Sequence, residues 1–369
     1  MRVIMTPLKV DSPNKIVFLG DTHFGARSDS VFHANHQQKF FEEFFFPFCK
    51  KHGIQHIIQL GDIMDRRKYV NFKSLKACND FFFTPANELG IQLHVLIGNH
   101  DIFWRETLEI NSPSLLFRQY PNLNIIDSSQ TLRFNDGEIS IDAVPWICKD
   151  NKKEALAFVS AAKSPVLIGH LEISGFPMLR GVENSHGLSE SLFSGYNTVI
   201  SGHYHTHSYR GNICYLGTPY ELTKADYNDP KYIATLDSPA GALKFHESPF
   251  HLYHRIIYDD DVTPTIPDEI SEGMYIELVI EKMFDEKKYD NFVERIYKQC
   301  KPADLSVVDL SDVVFEVSKE TVQNAIETQN PLSILLQSIH PESQHAADLK
   351  NVIMEIHQEA LARSISHHD

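Results

Sequence analysis

Residues 56–68 read HIIQLGDIMDRRK, an apolar run that stops abruptly at Gly61-Asp62. The run has the length and the β-branched content of a buried strand, and the motif G-D-x-x-D follows at its carboxyl end. Because α/β sheets collect their sites beyond the carboxyl ends of strands, this stretch predicts an α/β fold with a site at the sheet rim. The glycine permits the sharp turn that such a position requires.

The same pattern, an apolar run followed by oxygen or imidazole donors, recurs four times within the first 205 residues. Residues 16–19 precede Asp21-x-His23, residues 91–97 precede Gly98-Asn99-His100-Asp101, residues 166–168 precede Gly169-His170, and residues 198–200 precede Ser201-Gly202-His203-Tyr204-His205. A single motif of this kind is more often a turn than a site. Five in order favour a metal centre.

The donors suffice for two divalent ions, which together are a standard device for attacking a phosphate ester with water. Asp62 is the candidate bridge, since a carboxylate can hold one cation on each oxygen. The predicted ligands of one ion are completed by Asp21, His23 and His205, and those of the other by Asn99, His170 and His203. With imidazole and oxygen donors and no thiolate, we expect manganese, iron or zinc ahead of magnesium. For a nuclease we expect two Mn²⁺, with Mg²⁺ or another divalent metal as the alternative.

His100 is not needed as a ligand and is the candidate acid that protonates the leaving oxygen. Asp65 is expected to orient His100, and Asp101 to support the ligands. Arg66, Arg67 and Lys68 either contact a DNA backbone or form an exposed cationic turn, and the Tyr220 region is a weaker candidate for substrate contact. The other histidines are expected to be structural or solvent-facing, with the roles of His186 and His207 left open.

Bulk properties limit the classes of function. The chain has 369 residues, 42% hydrophobic content and a net charge of −15, which predicts a globular protein that does not grip nucleic acid with its whole surface. The five cysteines are scattered and form no C-x-x-C pair, which argues against a disulfide framework and thiolate zinc sites. No apolar run reaches the roughly 18 residues of a membrane span. We expect a cytoplasmic protein.

The predicted organisation has four parts. Residues 1–258 form the α/β domain, with helices over residues 33–52, 72–89 and 151–162, and its phenylalanine stripe from Phe40 to Phe48 is assigned to the core ahead of a dimer face. Residues 259–273 form a linker, and residues 274–320 a small α+β capping domain with strands over 274–280 and 313–317 and a helix over 285–300. Residues 321–369 form a helical tail that docks either on a partner or on the capping domain.

The motif set resembles the calcineurin-like metallophosphoesterase superfamily, whose order is D-x-H, G-D-x-x-D, G-N-H-[DE], G-H and G-H-x-H. Residues 61–68, 98–101, 169–172 and 217–220 resemble more narrowly the SbcD-type nucleases of double-strand-break repair, especially the phage recombination endonuclease subunits. The likeness extends through about Tyr220 and rests on layout alone after Asp259.

This resemblance implies a four-layer αββα core with two Mn²⁺, exonuclease action on double-stranded DNA and endonuclease action on single strands. It also implies a homodimer and a coiled-coil ATPase partner of the SbcC type, which we expect the tail to bind. The seven predicted ligands match the family's ligand pattern, and His100 matches its leaving-group histidine. Some members carry a second active-site histidine where this chain has Asp65, which puts their detailed exonuclease geometry in doubt here.

Two other functions share these residues. A small-substrate phosphatase or nucleotide phosphodiesterase would use every ligand but would need neither capping domain nor tail. A non-catalytic scaffold would keep the fold, but such proteins usually lack the general acid or a ligand, and this chain has them all.

Overall fold

The computed structural model of the protein describes residues 15–179, 182–262 and 264–311. Its strands are β1 Ile16–Leu19, β2 His56–Gln59, β3 Gln92–Leu96, β4 Leu123–Ile126, β5 Gln130–Phe134, β6 Ile139–Val144, β7 Val166–His170, β8 Pro177–Leu179, β9 Val182–Glu183, β10 Thr198–Gly202, β11 Ser208–Arg210, β12 Ile213–Tyr215, β13 Tyr232–Leu236, β14 Leu243–Glu247, β15 Tyr253–Asp259, β16 Tyr275–Lys282 and β17 Asp304–Asp309.

The helices alternate with these strands along the chain. They are α1 Ala26–Asp29, α2 Val31–Lys39, α3 Phe46–His52, α4 Phe72–Cys78, α5 Thr84–Glu88, α6 Ser112–Leu116, α7 Lys152–Ala161 and α8 Glu286–Cys300, with π-helical segments at Phe40–Phe45 and Asn79–Phe83. Short 3₁₀ turns lie at Asn135–Gly137, Glu190–Phe193 and Lys224–Asp226. The three helical stretches predicted before residue 162 are therefore confirmed.

Two six-stranded sheets form the larger part of the fold. One has the strand order β14-β13-β1-β2-β3-β4 and the other the order β11-β12-β10-β7-β6-β5. Strands β1 to β4 are parallel in the first sheet, and β6, β7, β10 and β12 are parallel in the second. The five apolar runs of the sequence are β1, β2, β3, β7 and β10, so the strands that lead into the predicted ligands are parallel to one another within each sheet.

Alternate residues of the strands face different layers, because successive side chains of a strand point to opposite sides. Phe18 of β1 packs with Ile168 of β7 in the core shared by the two sheets. Leu19, the next residue, packs with Phe41 in the core between the first sheet and its helices. Residues of β7 and β10 pack with Val159 of α7 on the outer face of the second sheet. The predicted four-layer αββα core is thus confirmed.

Each π-helical segment ends two residues before a proline. Pro47 follows Phe40–Phe45, and Pro85 follows Asn79–Phe83. A proline lacks the N–H of a regular helix, and its ring displaces the carbonyl four residues earlier, which lies inside the π-helical segment in both cases. The helices continue through these prolines because Phe40, Phe41, Phe45, Phe82 and Phe83 are fully buried beneath them. The aromatic stripe is therefore core, as predicted.

After β14, the chain forms a smaller sheet with the order β15-β16-β17. The strand and helix predicted over residues 274–280 and 285–300 correspond to β16 and α8, whereas β17 was not predicted. The strand predicted over residues 313–317 and the helical tail over residues 321–369 lie outside the described residues. The predicted boundaries of linker, capping domain and tail therefore stay predictions.

The chain divides into two compact units. Among the described residues, one unit contains residues 15–255, Ile266–Glu277 and Arg295–Leu305, and the other contains Ile256–Thr265, Leu278–Glu294 and residues 306–311. All five cysteines are buried and free of disulfide bonds, as their scattered positions predicted. Within the described ranges, no helix has both the length and the hydrophobicity that crossing a membrane requires.

Candidate metal centre

The loops that carry the predicted ligands meet at the carboxyl ends of the parallel strands of both sheets. Asp21 and Asp62 lie just beyond β1 and β2 of the first sheet, and His170 ends β7 of the second. Each of these three side chains places one donor atom within 4.8 Å of the others. Residues that are far apart in sequence therefore come together at one rim of the fold.

The first group of donors comprises Asp21, His23 and His205, whose ligand atoms also lie within 4.8 Å of one another. The Nε2 atoms of His23 and His205 face each other at 3.0 Å. Oδ2 of Asp62 lies 3.9 Å from Nε2 of His23. These are the four side chains that the sequence assigned to one ion.

The second group of donors centres on the amide oxygen of Asn99. This Oδ1 lies 2.9 Å from Nε2 of His170 and 2.9 Å from Nδ1 of His203. Oδ2 of Asp62 lies 3.4 Å from Nε2 of His170. Oδ2 alone thus approaches both groups, whereas the sequence-based expectation was one cation on each oxygen. Oδ1 of Asp62 instead accepts a hydrogen bond from the backbone N–H of His100 at 2.7 Å.

Two features of this cluster fit divalent cations. Oδ1 of Asp21 is buried, and no donor among the described residues reaches it. Nε2 of His23 and Nε2 of His205 also point at each other, so at most one can supply a hydrogen. A buried acceptor without a partner is costly, and a cation among these atoms would satisfy it. The donors are oxygen and imidazole without thiolate, a set that suits manganese, iron or zinc.

Three predicted ligands adopt the left-handed backbone region that residues other than glycine avoid. The φ angle is 42° at His23, 56° at Asp62 and 90° at His203. Each such residue costs on the order of 1–3 kcal/mol, and such strain concentrates at functional sites. Gly61 has φ 101°, and a Cβ there would lie 2.9 Å from Cα of Gly98. The G-D turn therefore requires its glycine.

Asp101 holds the turn that carries Asp62. Its buried carboxylate accepts hydrogen bonds from the N–H groups of Asp62 at 2.8 Å, Ile63 at 3.0 Å and Gly98 at 2.9 Å. Burial and the neighbouring Asp62 carboxylate raise the pKa of Asp101 to about 6. The last residue of G-N-H-D thus supports the bridging carboxylate, as the sequence suggested.

Hydrogen bonds behind the ligands fix their orientation. Nδ1 of His170 donates to the Leu60 carbonyl at 2.8 Å, which leaves Nε2 to face the cluster. The backbone N–H of His203 donates to Oδ2 of Asp21 at 2.9 Å, so Oδ1 of Asp21 is the oxygen left for a cation. Gln37 on α2 donates to the His23 carbonyl at 3.2 Å. The ligands are therefore positioned by the protein itself.

Burial and the charges of neighbouring side chains determine the protonation states of the aspartates and histidines in the cluster. Burial lowers the pKa of His23 and His203 well below the usual imidazole value, and neighbouring imidazoles lower it further, so both are neutral. Burial opposes the charged form of Asp62, but His170 and His100 outweigh it and hold the pKa of Asp62 well below its usual range. Burial likewise opposes protonation of His170, but Asp62 and Asp21 raise its pKa to about 9. The carboxylates therefore attract positive charge, which bound cations would supply in place of a proton.

His100 lies beside the first group of donors, with its ring centroid 5.0 Å from that of His23. Nδ1 of His100 donates to the backbone carbonyl of Asp65 at 2.6 Å. The sequence assigned this orienting role to the Asp65 carboxylate, and the structure assigns it to the carbonyl. The carboxylate instead lies 3.5 Å from Nδ1 of His23, behind that predicted ligand. The difference arises because the turn after Asp62 directs the Asp65 side chain towards His23.

The predicted substrate contacts divide into exposed and buried residues. Lys68 is exposed, Arg66 is 44% exposed with NH1 3.5 Å from Oδ2 of Asp29, and Arg67 is partly buried. Tyr220 is fully buried, and its hydroxyl donates to the Thr22 carbonyl at 2.5 Å. The prediction that Tyr220 contacts substrate is therefore wrong, because its side chain belongs to the aromatic core.

The two histidines left open lie outside the donor groups. His186 is exposed, and its backbone N–H donates to the side chain of Asn184 at 2.8 Å. The ring of His207 packs against Tyr232 and Phe245, with centroid distances of 4.8 and 4.9 Å. The first is solvent-facing and the second is a packing residue.

Sequence reasoning missed Trp146 beside the cluster. Its ring centroid lies 5.0 Å from that of His203 and 5.9 Å from that of His170. Trp146 follows β6, a strand that was not predicted. The alternating run ISIDAV over residues 139–144, ending at a Pro-Trp pair, is the signal that would have placed it at the same rim.

We expect Asp101→Asn to weaken Mn²⁺ binding by about 10- to 100-fold, because an amide cannot replace both carboxylate oxygens that hold the Asp62 turn. Isothermal titration calorimetry measures the affinity, and thermal unfolding verifies that the variant is folded. Asp127→Asn, the same change at an exposed position, is the matched control. Unchanged Mn²⁺ affinity in a folded Asp101→Asn protein would contradict the assigned role.

Two comparisons with known proteins agree with this geometry. Residues 14–207 match the family model for calcineurin-like phosphoesterases. Over 244 residues, the chain is 34% identical to exonuclease subunit 1 of Enterobacteria phage T4, and the match covers 66% of this chain and 70% of that protein. On the strength of both matches, and of the convergent donor groups, this chain belongs to the calcineurin-like phosphoesterase family.

Proposed function

We propose that this protein is a dinuclear-metal nuclease that hydrolyses phosphodiester bonds in DNA. The observation that carries the proposal is the position of Asp62, whose Oδ2 approaches Nε2 of His23 at 3.9 Å and Nε2 of His170 at 3.4 Å. Likeness to a protein named exonuclease subunit 1 supports DNA as the substrate class.

Two divalent cations held by the seven predicted ligands would activate water and neutralise charge on the phosphate. The contribution of His100 follows from its hydrogen bond. Because Nδ1 donates to the Asp65 carbonyl, Nε2 is the atom that can carry a second proton and pass it to the leaving oxygen. The ring of Trp146 packs beside His170 and His203 and supports the orientation of these two predicted ligands.

A basic segment next to the cluster supports a polyanionic substrate. Residues 66–76 contain Arg66, Arg67, Lys68, Lys73 and Lys76 and no acidic residue, in a chain with net charge −15. The segment begins directly after Asp65, whose carbonyl holds His100. A small phosphoester would gain little from so extended a cationic stretch, whereas a DNA backbone presents a phosphate at every nucleotide.

The proposal also covers the modes of DNA cleavage, the metal, the oligomeric state and the cellular location. We propose exonuclease action on double-stranded DNA and endonuclease action on single strands, in DNA end processing, recombination and repair. We further propose Mn²⁺ as the metal, a homodimer, and a cytoplasmic location, the host cytoplasm for a phage-encoded protein. The free, buried cysteines are compatible with that reducing compartment.

A cleavage assay tests the substrate class. End-labelled duplex DNA, single-stranded DNA and p-nitrophenyl phosphoesters are incubated with Mn²⁺ or Mg²⁺, and product lengths are read on denaturing gels. We expect cleavage of both DNA substrates with Mn²⁺ and slow turnover of the small esters. Efficient hydrolysis of the small esters without DNA cleavage would identify a small-substrate phosphatase, and no turnover of any substrate would identify a non-catalytic scaffold.

His100→Ala is expected to lower turnover of DNA by about 100-fold or more, because the leaving oxygen loses its proton donor. Mn²⁺ affinity should change little, since His100 contacts the cluster without being one of its predicted ligands. His186→Ala, which removes an exposed imidazole, provides the control. Turnover equal to that of the unaltered protein would exclude His100 from the reaction.

We propose that the carboxyl-terminal tail binds a coiled-coil ATPase of the SbcC type. In sequence, Leu349, Val352, Ile353 and Ile356 recur at helical spacing and would form one apolar face. Such a face can lie against a coiled coil, and a partner would compensate for the low DNA affinity expected of an acidic chain.

Deleting the residues after Asn330 should abolish co-purification with the ATPase while Mn²⁺-dependent cleavage persists. Two point variants refine the test: Ile353→Asp places a charge on the apolar face, and Gln358→Asp places the same charge off it. Only Ile353→Asp should weaken the complex in gel filtration. A complex that survives the truncation would refute the assignment of the tail.

A further inference from the structure

Two loops beside the metal centre expose aromatic rings among cations. Lys68 and Tyr69 lie in the loop after Asp65, and Phe103 and Trp104 lie in the loop after Asp101. Tyr69 is 77% exposed and Trp104 is 51% exposed. Lys68, Phe103 and Trp104 contact one another, and we call these three residues the aromatic platform. Single exposed aromatic side chains are common, whereas exposed rings that lie together indicate an interaction site.

Contacts among its members join the two loops. Nζ of Lys68 lies 5.5 Å from the ring centroid of Phe103 and 6.0 Å from that of Trp104. The rings of Phe103 and Trp104 meet edge to face at 4.6 Å. Lys68 thus lies over both rings, an arrangement that combines a cation with aromatic faces.

The loop that carries Phe103 and Trp104 is closed at its base. The backbone N–H of Phe103 donates to the Ile110 carbonyl at 2.9 Å, and Ile102 pairs with Asn111 in an antiparallel bridge. The side-chain amide of Asn111 donates to the Leu108 carbonyl at 2.8 Å. Because these hydrogen bonds already hold the loop, binding of a ligand to Trp104 would cost little additional conformational entropy in the loop.

The platform adjoins the catalytic residues through the chain. The loop with Lys68 and Tyr69 starts at Asp65, whose carbonyl accepts the hydrogen bond from Nδ1 of His100 at 2.6 Å. The other loop starts three residues after His100. Burial lowers the pKa of Arg67, and the nearby positive charge of Arg105 lowers it further. Arg67 and Lys68 therefore place positive charge beside the rings, although the loop of Trp104 also carries the exposed Glu106 and Glu109.

The combination of aromatic rings and cations in the platform favours one class of ligand over others. Unpaired nucleotides present both a phosphate for a cation and a flat base for an aromatic face, whereas paired bases in a duplex have their faces covered. We propose that the aromatic platform stacks unpaired bases of the DNA strand that enters the metal centre, with Trp104 as the main stacking residue. The proposal rests on the proposed nuclease function and adds a site for the unpaired strand.

The platform has a consequence for substrate choice. Stacking on Trp104 would favour single strands and frayed ends over fully paired ends, without base-specific hydrogen bonds. Sequence preference should therefore be weak, and affinity should fall with salt because the adjacent cations contact phosphates.

The test measures binding separately from cleavage. A labelled phosphorothioate oligothymidine and a blunt phosphorothioate duplex are titrated by fluorescence anisotropy with Mn²⁺ present. Trp104→Ala should raise the Kd for the oligothymidine by about 5- to 100-fold and change the Kd for the duplex less. Trp104→Phe keeps a stacking face and should recover most of the affinity. Tyr209→Ala removes a similarly exposed ring on β11 and is the control, with unchanged affinity and cleavage.

Several results would overturn the proposal. They are unchanged oligothymidine affinity in Trp104→Ala, an equal loss for oligothymidine and duplex, and failure of Trp104→Phe to recover affinity. If Trp104→Ala changed the oligomeric mass measured by analytical ultracentrifugation and left the oligothymidine affinity unchanged, the surface would be a contact between copies of the chain. The nuclease function fails on a different result, namely that the unaltered protein cuts no DNA.

Discussion

The buried carboxylate of Asp62 is the interaction on which the site depends. Its Oδ2 approaches imidazoles from both sheets, and its Oδ1 accepts the backbone N–H of His100 at 2.7 Å. A buried charge is strongly unfavourable unless partners of opposite charge or hydrogen-bond donors surround it. The fold meets this condition by ending parallel strands of two sheets at one rim, where their loops can reach the same carboxylate.

Rigid layers allow these loops to remain strained. His23, Asp62 and His203 keep positive φ angles because the strands before them are buried on both faces and the loops are tied by hydrogen bonds. Asp101 contributes most directly, since its carboxylate holds the turns at both Asp62 and Gly98. Precise placement of the ligands is therefore a property of the supporting residues as much as of the ligands themselves.

Charge is distributed unevenly in this protein. The chain as a whole is acidic, yet residues 66–76, directly after Asp65, contain five basic residues and no acidic one. The same region exposes Tyr69 and Trp104, so cations and aromatic rings lie together next to the metal centre. An acidic surface elsewhere would repel nucleic acid from other faces, which concentrates any contact with DNA where the chemistry takes place.

The fold class follows from the amino-acid sequence, because apolar runs of strand length that end in glycine and a polar donor recur in order and place each donor at a strand end. The sequence also selected all seven side chains that converge, since the residue types and spacing are those of a metal centre. The roles of the residues around these ligands became clear only from the tertiary structure. The carbonyl of Asp65, and not its carboxylate, holds His100. Tyr220 lies in the core, and Trp146 reaches the cluster from a strand that periodicity did not reveal. Residue types and spacing report which chemistry is available, whereas the direction of a side chain depends on backbone angles and packing that arise only when distant segments meet.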